Sequence, residues 1–188
     1  MKTKNPAIAI VVGAVVSFAW VSISWMAIPW HQATFSHFKE ESAMATAIKA
    51  AAEEPGIYLY PSWEDADGNK PQPDVIAAKM KEGPMVFASI VPGGMEMKMG
   101  SMMLKGICMH AVAAFVLGFL MLLVGNTFKE RFVLAIGVAL FTGTMGHLPN
   151  WNWWSFPVGF TVLGILDTVI AWTLAGWAMA KLMPTKEQ

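Results

Sequence analysis

Residues Ala7 to Ile28 read AIAIVVGAVVSFAWVSISWMAI, 22 consecutive positions without an ionisable side chain. At 1.5 Å per residue, about 20 such residues cross the roughly 30 Å hydrocarbon core of a bilayer. The stretch therefore predicts a transmembrane helix. Lys2 and Lys4 precede it as the basic start of a secretory signal would, yet such a signal has a shorter apolar core and a small-residue cleavage site. Only Ser22-Ile23-Ser24 before Trp25 approaches that pattern, whereas Trp20, Trp25 and Trp30 suit a membrane-interface belt. The reading is an uncleaved anchor.

Three more apolar runs follow at Leu104 to Val124, Phe132 to Leu148 and Pro157 to Ala180. The segments between them, Asn126 to Arg131 and Pro149 to Trp154, are short enough to make the spans antiparallel neighbours. With four spans, Lys2, Lys4, Lys129, Arg131, Lys181 and Lys186 fall on one side, which the positive-inside rule assigns to the cytoplasm. Both termini are then cytoplasmic and the Trp-rich hairpin faces outward. The whole chain agrees: of 188 residues, 55% are hydrophobic and 14% charged, against about 25% charged in a soluble domain. Net charge is zero and no basic cluster exists, so nucleic acid is not an expected partner. The fold class expected is membrane α-helical. Residues 1–29 form the first transmembrane helix, 30–103 a small extracytoplasmic α/β insertion between helices 1 and 2, and 104–188 helices 2–4 with a cytoplasmic tail.

Within the insertion, Lys39 to Glu54 carries Met44, Ala47, Ile48 and Ala51 at helical spacing and stops at Pro55-Gly56. Ile57 to Tyr60 suits a strand, Pro73 can open a second helix that Gly83 closes, and Met85 to Val91 suits a second strand. A two-stranded sheet is marginal alone, so this region is expected to lean on the bundle or on a partner subunit. The run Glu64 to Lys70 has the look of a calcium loop. Counted from Asp65, however, glycine falls fourth and Ile76 twelfth, where an EF-hand needs glycine sixth and glutamate twelfth. It reads as a solvated turn.

Chemistry is carried by a few residues. Met95, Met97, Met99, Met102 and Met103 set five thioethers before the second span. Such soft ligands select Cu(I), although flexible methionines also fill irregular grooves and the chain holds 15 in all. Three ionisable groups fall inside the spans, His110, His147 and Asp167, and intramembrane ionisable residues mark functional sites by default. Each lies on a row of small residues spaced by four: Gly106, His110, Ala114, Gly118; Ala135, Ala139, Gly143, His147; Asp167, Ala171, Ala175. Small residues at this spacing form helix-to-helix contacts, so all three groups are expected to face protein. From the helical rise, His110 lies about 9 Å, Asp167 about 15 Å and His147 about 5 Å below the outer edge. A His110–Asp167 pair is expected, and His110 with His147 are candidate haem or metal ligands. His31 and His37, just outside the first span, are read as interface hydrogen-bonding groups. The single cysteine, Cys108, permits no internal disulfide.

Pro29-Trp30-His31-Gln32-Ala33-Thr34-Phe35 and Gly146-His147-Leu148-Pro149-Asn150-Trp151-Asn152-Trp153-Trp154 resemble segments of a group of uncharacterised bacterial multi-pass inner-membrane proteins. The resemblance implies a bacterial cytoplasmic membrane and a shared architecture; it carries no activity. No nucleotide-binding motif, nucleophile triad or carboxylate pair is present. The expected function is a non-catalytic accessory or assembly subunit of a larger membrane complex, respiratory or otherwise energy-converting, whose partners are the bilayer and other integral membrane subunits. Two alternatives stay open. One is a copper- or haem-handling protein using the methionine segment with His110 and His147; the other is a small quinone- or proton-active protein centred on Asp167 and His110.

Overall fold

The computed structural model describes residues 5–65 and 67–184, so Lys2, Lys4 and Lys186, used above for orientation, lie outside the described residues. In chain order the elements are α1 (Pro6–Met26), a 3-10 turn (Gln32–Thr34), α2 (Glu41–Ala51), β1 (Gly56–Tyr60), α3 (Pro73–Glu82), β2 (Val86–Ile90), α4 (Met99–Val124), α5 (Phe128–Trp154) and α6 (Val158–Leu182). They form two units, one of residues 1–36 with 97–188 and the other of residues 37–96. Among the described residues four helices, α1, α4, α5 and α6, are long and apolar enough to cross a membrane.

In the first unit α6 packs along both α5 and α1, and α1 also packs along α4, while α4 meets α5 and α6 only slightly. Small residues make these approaches possible. Ala114 and Gly118 on α4, Ala135, Ala139 and Gly143 on α5, and Ala171, Ala175 and Gly176 on α6 are all buried. A Cβ at Gly176 would fall on the Cβ of Ala135, and one at Gly13 would strike the Met179 side chain.

Helix α5 departs most from the sequence expectation, since it runs beyond the Phe132 to Leu148 apolar run at both ends. At its start a capping box extends it: the Thr127 hydroxyl accepts from the Glu130 N–H at 3.2 Å, and the Glu130 carboxylate accepts from the Thr127 N–H at 3.0 Å. At its end Pro149 lies inside the helix, and the Trp-rich segment expected as a hairpin forms the closing turns. Ser155, with φ 55°, ends it in the left-handed region, and the Phe156 N–H reaches the Asn150 carbonyl at 3.3 Å. Arg131, read as a loop cation, is instead 2% exposed, and its Nε donates to the carbonyls of Gly125 at 2.9 Å and Met121 at 3.3 Å. It thereby adds a donor to the Met121 carbonyl, which already accepts from the Gly125 N–H, and supplies one to the Gly125 carbonyl just past the end of α4.

The second unit follows the expected order of helix, strand, helix, strand. β1 and β2 pair antiparallel, Gly56 opposite Ile90 and Tyr60 opposite Val86. Met44, Ala47, Ile48 and Ala51, the apolar face of α2, line a groove of about 270 Å³ together with Tyr58, Tyr60, Val86 and Ile90 of the sheet. Gly83 ends α3 at φ 75°, a conformation costly for any residue with a Cβ. The Asp65 carboxylate is turned onto its own loop. It accepts from the N–H groups of Asn69 at 2.8 Å and Asp67 at 3.0 Å and from the Asn69 amide at 3.2 Å, and the Asn69 bonds above all hold its carboxyl below the usual carboxylate range.

Replacing Gly176 by Val should overpack the α5–α6 contact and lower stability by about 1–3 kcal/mol, measured by equilibrium unfolding in mixed micelles. Gly137→Val, where an added Cβ meets nothing within 4 Å, should leave the midpoint unchanged.

Candidate functional site

A carboxylate in a membrane span is costly unless it finds hydrogen-bond donors, and the donors of Asp167 come from the other end of the chain. Trp20 Nε1, on α1, donates to Asp167 Oδ1 at 2.7 Å, the short distance of a bond to a charged acceptor. His31 Nε2 lies 3.3 Å from Asp167 Oδ2. A carboxylate only accepts, so an Nε2–H on His31 is the tautomer that suits this contact. Asp167 and His31 are 6% and 4% exposed.

His31 reaches this depth because the chain doubles back where α1 ends. Trp30 Nε1 donates to the Ser24 carbonyl at 3.1 Å and to its hydroxyl at 3.0 Å, and Gln32 Nε2 donates to the Trp25 carbonyl at 3.0 Å. These side chains satisfy carbonyls near the end of α1 and fold the following turn onto the helix. His31 then stacks on Trp25, centroids 3.9 Å apart and planes 8° from parallel, with its Nε2 also 2.9 Å from Ser24 Oγ.

The expected His110–Asp167 pair is replaced by a different arrangement. His110 Nδ1 lies 2.9 Å from Ser17 Oγ, and its ring stacks on Trp172 with centroids 5.8 Å apart. Asp167 is met by Trp20 and His31, from α1 and the turn behind it, while His110 meets the Ser17 hydroxyl. His147 Nε2 lies 3.4 Å from Thr168 Oγ1, at the outer limit of a hydrogen bond. Its ring rests against Gly164, where a Cβ would come 2.5 Å from the imidazole Cε1. Only a glycine leaves that ring its place.

Although they do not pair, His31, His110, His147 and Asp167 line one chamber of about 310 Å³ with Val21, Trp25, Phe160, Gly164, Thr168, Ala171 and Trp172. The extension of α5 explains the convergence. His147 stands seven residues before the end of α5 and Asp167 nine after the start of α6, which the helical rise converts to about 10 and 14 Å. A second space of about 330 Å³, lined by Thr34, Phe35, Ser36, Phe156, Pro157 and Phe160, shares Phe160 with the chamber.

The methionine segment is separate from these groups. Met95, Met97, Met99, Met102 and Met103 are all exposed, from 67% at Met95 to 37% at Met103, and the last three belong to the first turns of α4. Among the described residues, no three His, Cys, Asp or Glu side chains are grouped so that they could hold a metal ion. Sequence reasoning missed Ser17, Trp20 and Ser24 as partners. Their signal was present: hydroxyls at positions 17 and 24, seven residues apart, share one face of a largely apolar α1.

No family model, curated protein or solved structure matches the chain.

Asp167→Ala should leave Trp20 and His31 without their acceptor and cost about 1–3 kcal/mol, and Trp20→Phe, which leaves the carboxylate short of a donor, should cost about 1.5–3 kcal/mol. Unfolding in mixed micelles measures both. No loss in Trp20→Phe would mean that the indole bond contributes nothing to holding the carboxylate.

Proposed function

We propose that this protein is a non-catalytic accessory subunit of a larger bacterial inner-membrane complex, respiratory or otherwise energy-converting, and that its chamber holds a small membrane-borne molecule. The observation that carries the reading is the convergence of three imidazoles and a carboxylate, with two indoles, on one space inside a bundle of apolar helices. A polar-edged, aromatic-walled cavity of this size is the usual form of a small-molecule site. His110 and His147 are the candidate contacting residues, each with one ring nitrogen bonded within the protein and one left over. Asp167 with His31 supports the wall rather than the ligand, because the bonds of both are directed to each other and to α1.

Membership of a complex is supported by the second unit. Of its described residues only Ala52 and Pro61 are buried, while Phe38, Ile57, Trp63 and Val91 stand exposed. Sixty residues with so little core fall short of what a free-standing domain of this size buries, and a partner subunit would supply the missing surface. The orientation that goes with this reading has both termini in the cytoplasm and residues 30–103 outside.

Mild-detergent purification from native membranes should recover stoichiometric partner subunits, and organic extraction with mass spectrometry should recover a lipid-soluble molecule. The His110→Leu, His147→Leu double variant should lose that molecule while remaining monodisperse. A lone wild-type species with nothing extractable would sink the reading. Copper by metal analysis or a Soret band would instead favour the metal- or haem-handling alternative.

Orientation has its own test. Alkaline phosphatase fused after Gly94 should be active, and green fluorescent protein fused after Pro184 should fluoresce. The opposite pattern would reverse the topology.

A further inference from the structure

We infer that the chamber takes the hydroxylated aromatic head of a membrane quinol, and that it prefers this reduced form to the corresponding quinone. The inference rests on the chamber reading above and adds the class of ligand to it.

It follows from where one proton must sit. Ser17 Oγ lies 2.9 Å from the Gly13 carbonyl oxygen and 3.2 Å from that of Ala14. A carbonyl oxygen only accepts, so the Ser17 hydroxyl proton lies in that contact. Ser17 Oγ then has only lone pairs to offer His110 Nδ1, 2.9 Å away. The proton of a neutral His110 is therefore on Nδ1, and Nε2, the other polar atom of a ring that lines the chamber, carries a lone pair. An acceptor among the polar groups of the wall asks for a ligand hydroxyl. A quinone carbonyl placed against that nitrogen would set one lone pair against another, which is costly in a chamber that Val21, Phe160 and Ala171 also line.

The rest of the shape favours an aromatic head on an apolar chain. Trp25 and Trp172 provide flat surfaces at the chamber wall. Next to it, across the shared Phe160, the second space presents Phe35, Phe156 and Pro157 and gives an isoprenoid or alkyl chain an apolar path. No electron moves in this proposal. The chain binds the reduced molecule and leaves its oxidation to whatever redox centre a partner supplies. Ser17 is a positioning residue, acting on the ligand only through the proton it fixes on His110.

The test uses the full chain in nanodiscs of phosphatidylethanolamine and phosphatidylglycerol, titrated under argon with a decyl-tailed benzoquinol or its benzoquinone. Quenching of tryptophan fluorescence reads binding. The quinol should bind about tenfold more tightly than the quinone. Ser17→Ala, which frees the imidazole to present either nitrogen protonated, should bring the two affinities within about twofold. Ser17→Thr, which keeps both the back-bonded proton and the acceptor, should restore the preference. A merely structural role for Ser17 would weaken both forms alike and leave the ratio standing. Equal or tighter binding of the quinone by the wild type would overturn the inference while leaving the chamber reading intact. If neither form quenches but a different molecule is extracted from native protein, the quinol assignment falls alone; if nothing is extracted either, both fall.

Discussion

A carboxylate placed inside a membrane span must find hydrogen bonds within the protein, and the arrangement of the bundle's polar end depends on how Asp167 finds them. Lipid tails offer no donors. Trp20, which donates to it, and His31, 3.3 Å from its other oxygen, come from the first helix and the turn behind it. Meeting the need of Asp167 thus ties the beginning of the chain to α6. It also draws into the bundle a histidine that would otherwise sit among headgroups. Trp30 and Gln32 assist by covering carbonyls at the end of α1, so one reversal of the chain satisfies a helix terminus and delivers His31.

The same economy separates wall from site. Trp20 donates to Asp167, and His31 is held between the carboxylate, Ser24 and the face of Trp25, so the bonds of both are directed largely within the protein. His110 and His147 differ. Each is anchored through one nitrogen to a hydroxyl on a neighbouring helix, and each lines the cavity. Buried polar networks that are fully satisfied make rigid structure; those with an atom left over are where a ligand gains most. The two classes stand side by side, with the satisfied pair supporting the unsatisfied one.

Much of this bundle is written in apolar run lengths. The run from Ala7 to Ile28 became α1 with small changes at its ends, and the small-residue rows on α4, α5 and α6 are buried along most of their length. What escaped the sequence reading has physical causes. The ends of α5 were misjudged because a capping box and a proline-tolerant terminal turn extend a helix past its apolar residues, and hydrophobicity is silent about both. The error mattered: a short α5 leaves His147 near the surface, whereas the longer helix brings it to within about one turn of Asp167. The pairing of His110 was missed for a different reason. Periodicity tells which residues face protein but not which of several neighbours wins, and two indole-and-imidazole donors outcompeted the nearer-looking histidine.

The contrast between the methionine segment and the chamber shows why exposure matters more than residue type in weighing candidate sites. Five thioethers in nine residues are an arresting sequence signal, yet all five side chains stand exposed, and a soft metal held there would keep much of its hydration. The imidazoles are ordinary in number but sit in a medium where each unpaired nitrogen is expensive. Gly164 makes the point at a single residue, because its missing Cβ is what lets the ring of His147 lie against α6. A methyl group there would displace the imidazole and alter the chamber without touching any residue that bears a functional group. Such a position is invisible to a search for ligands and visible only once helix-to-helix distances are known.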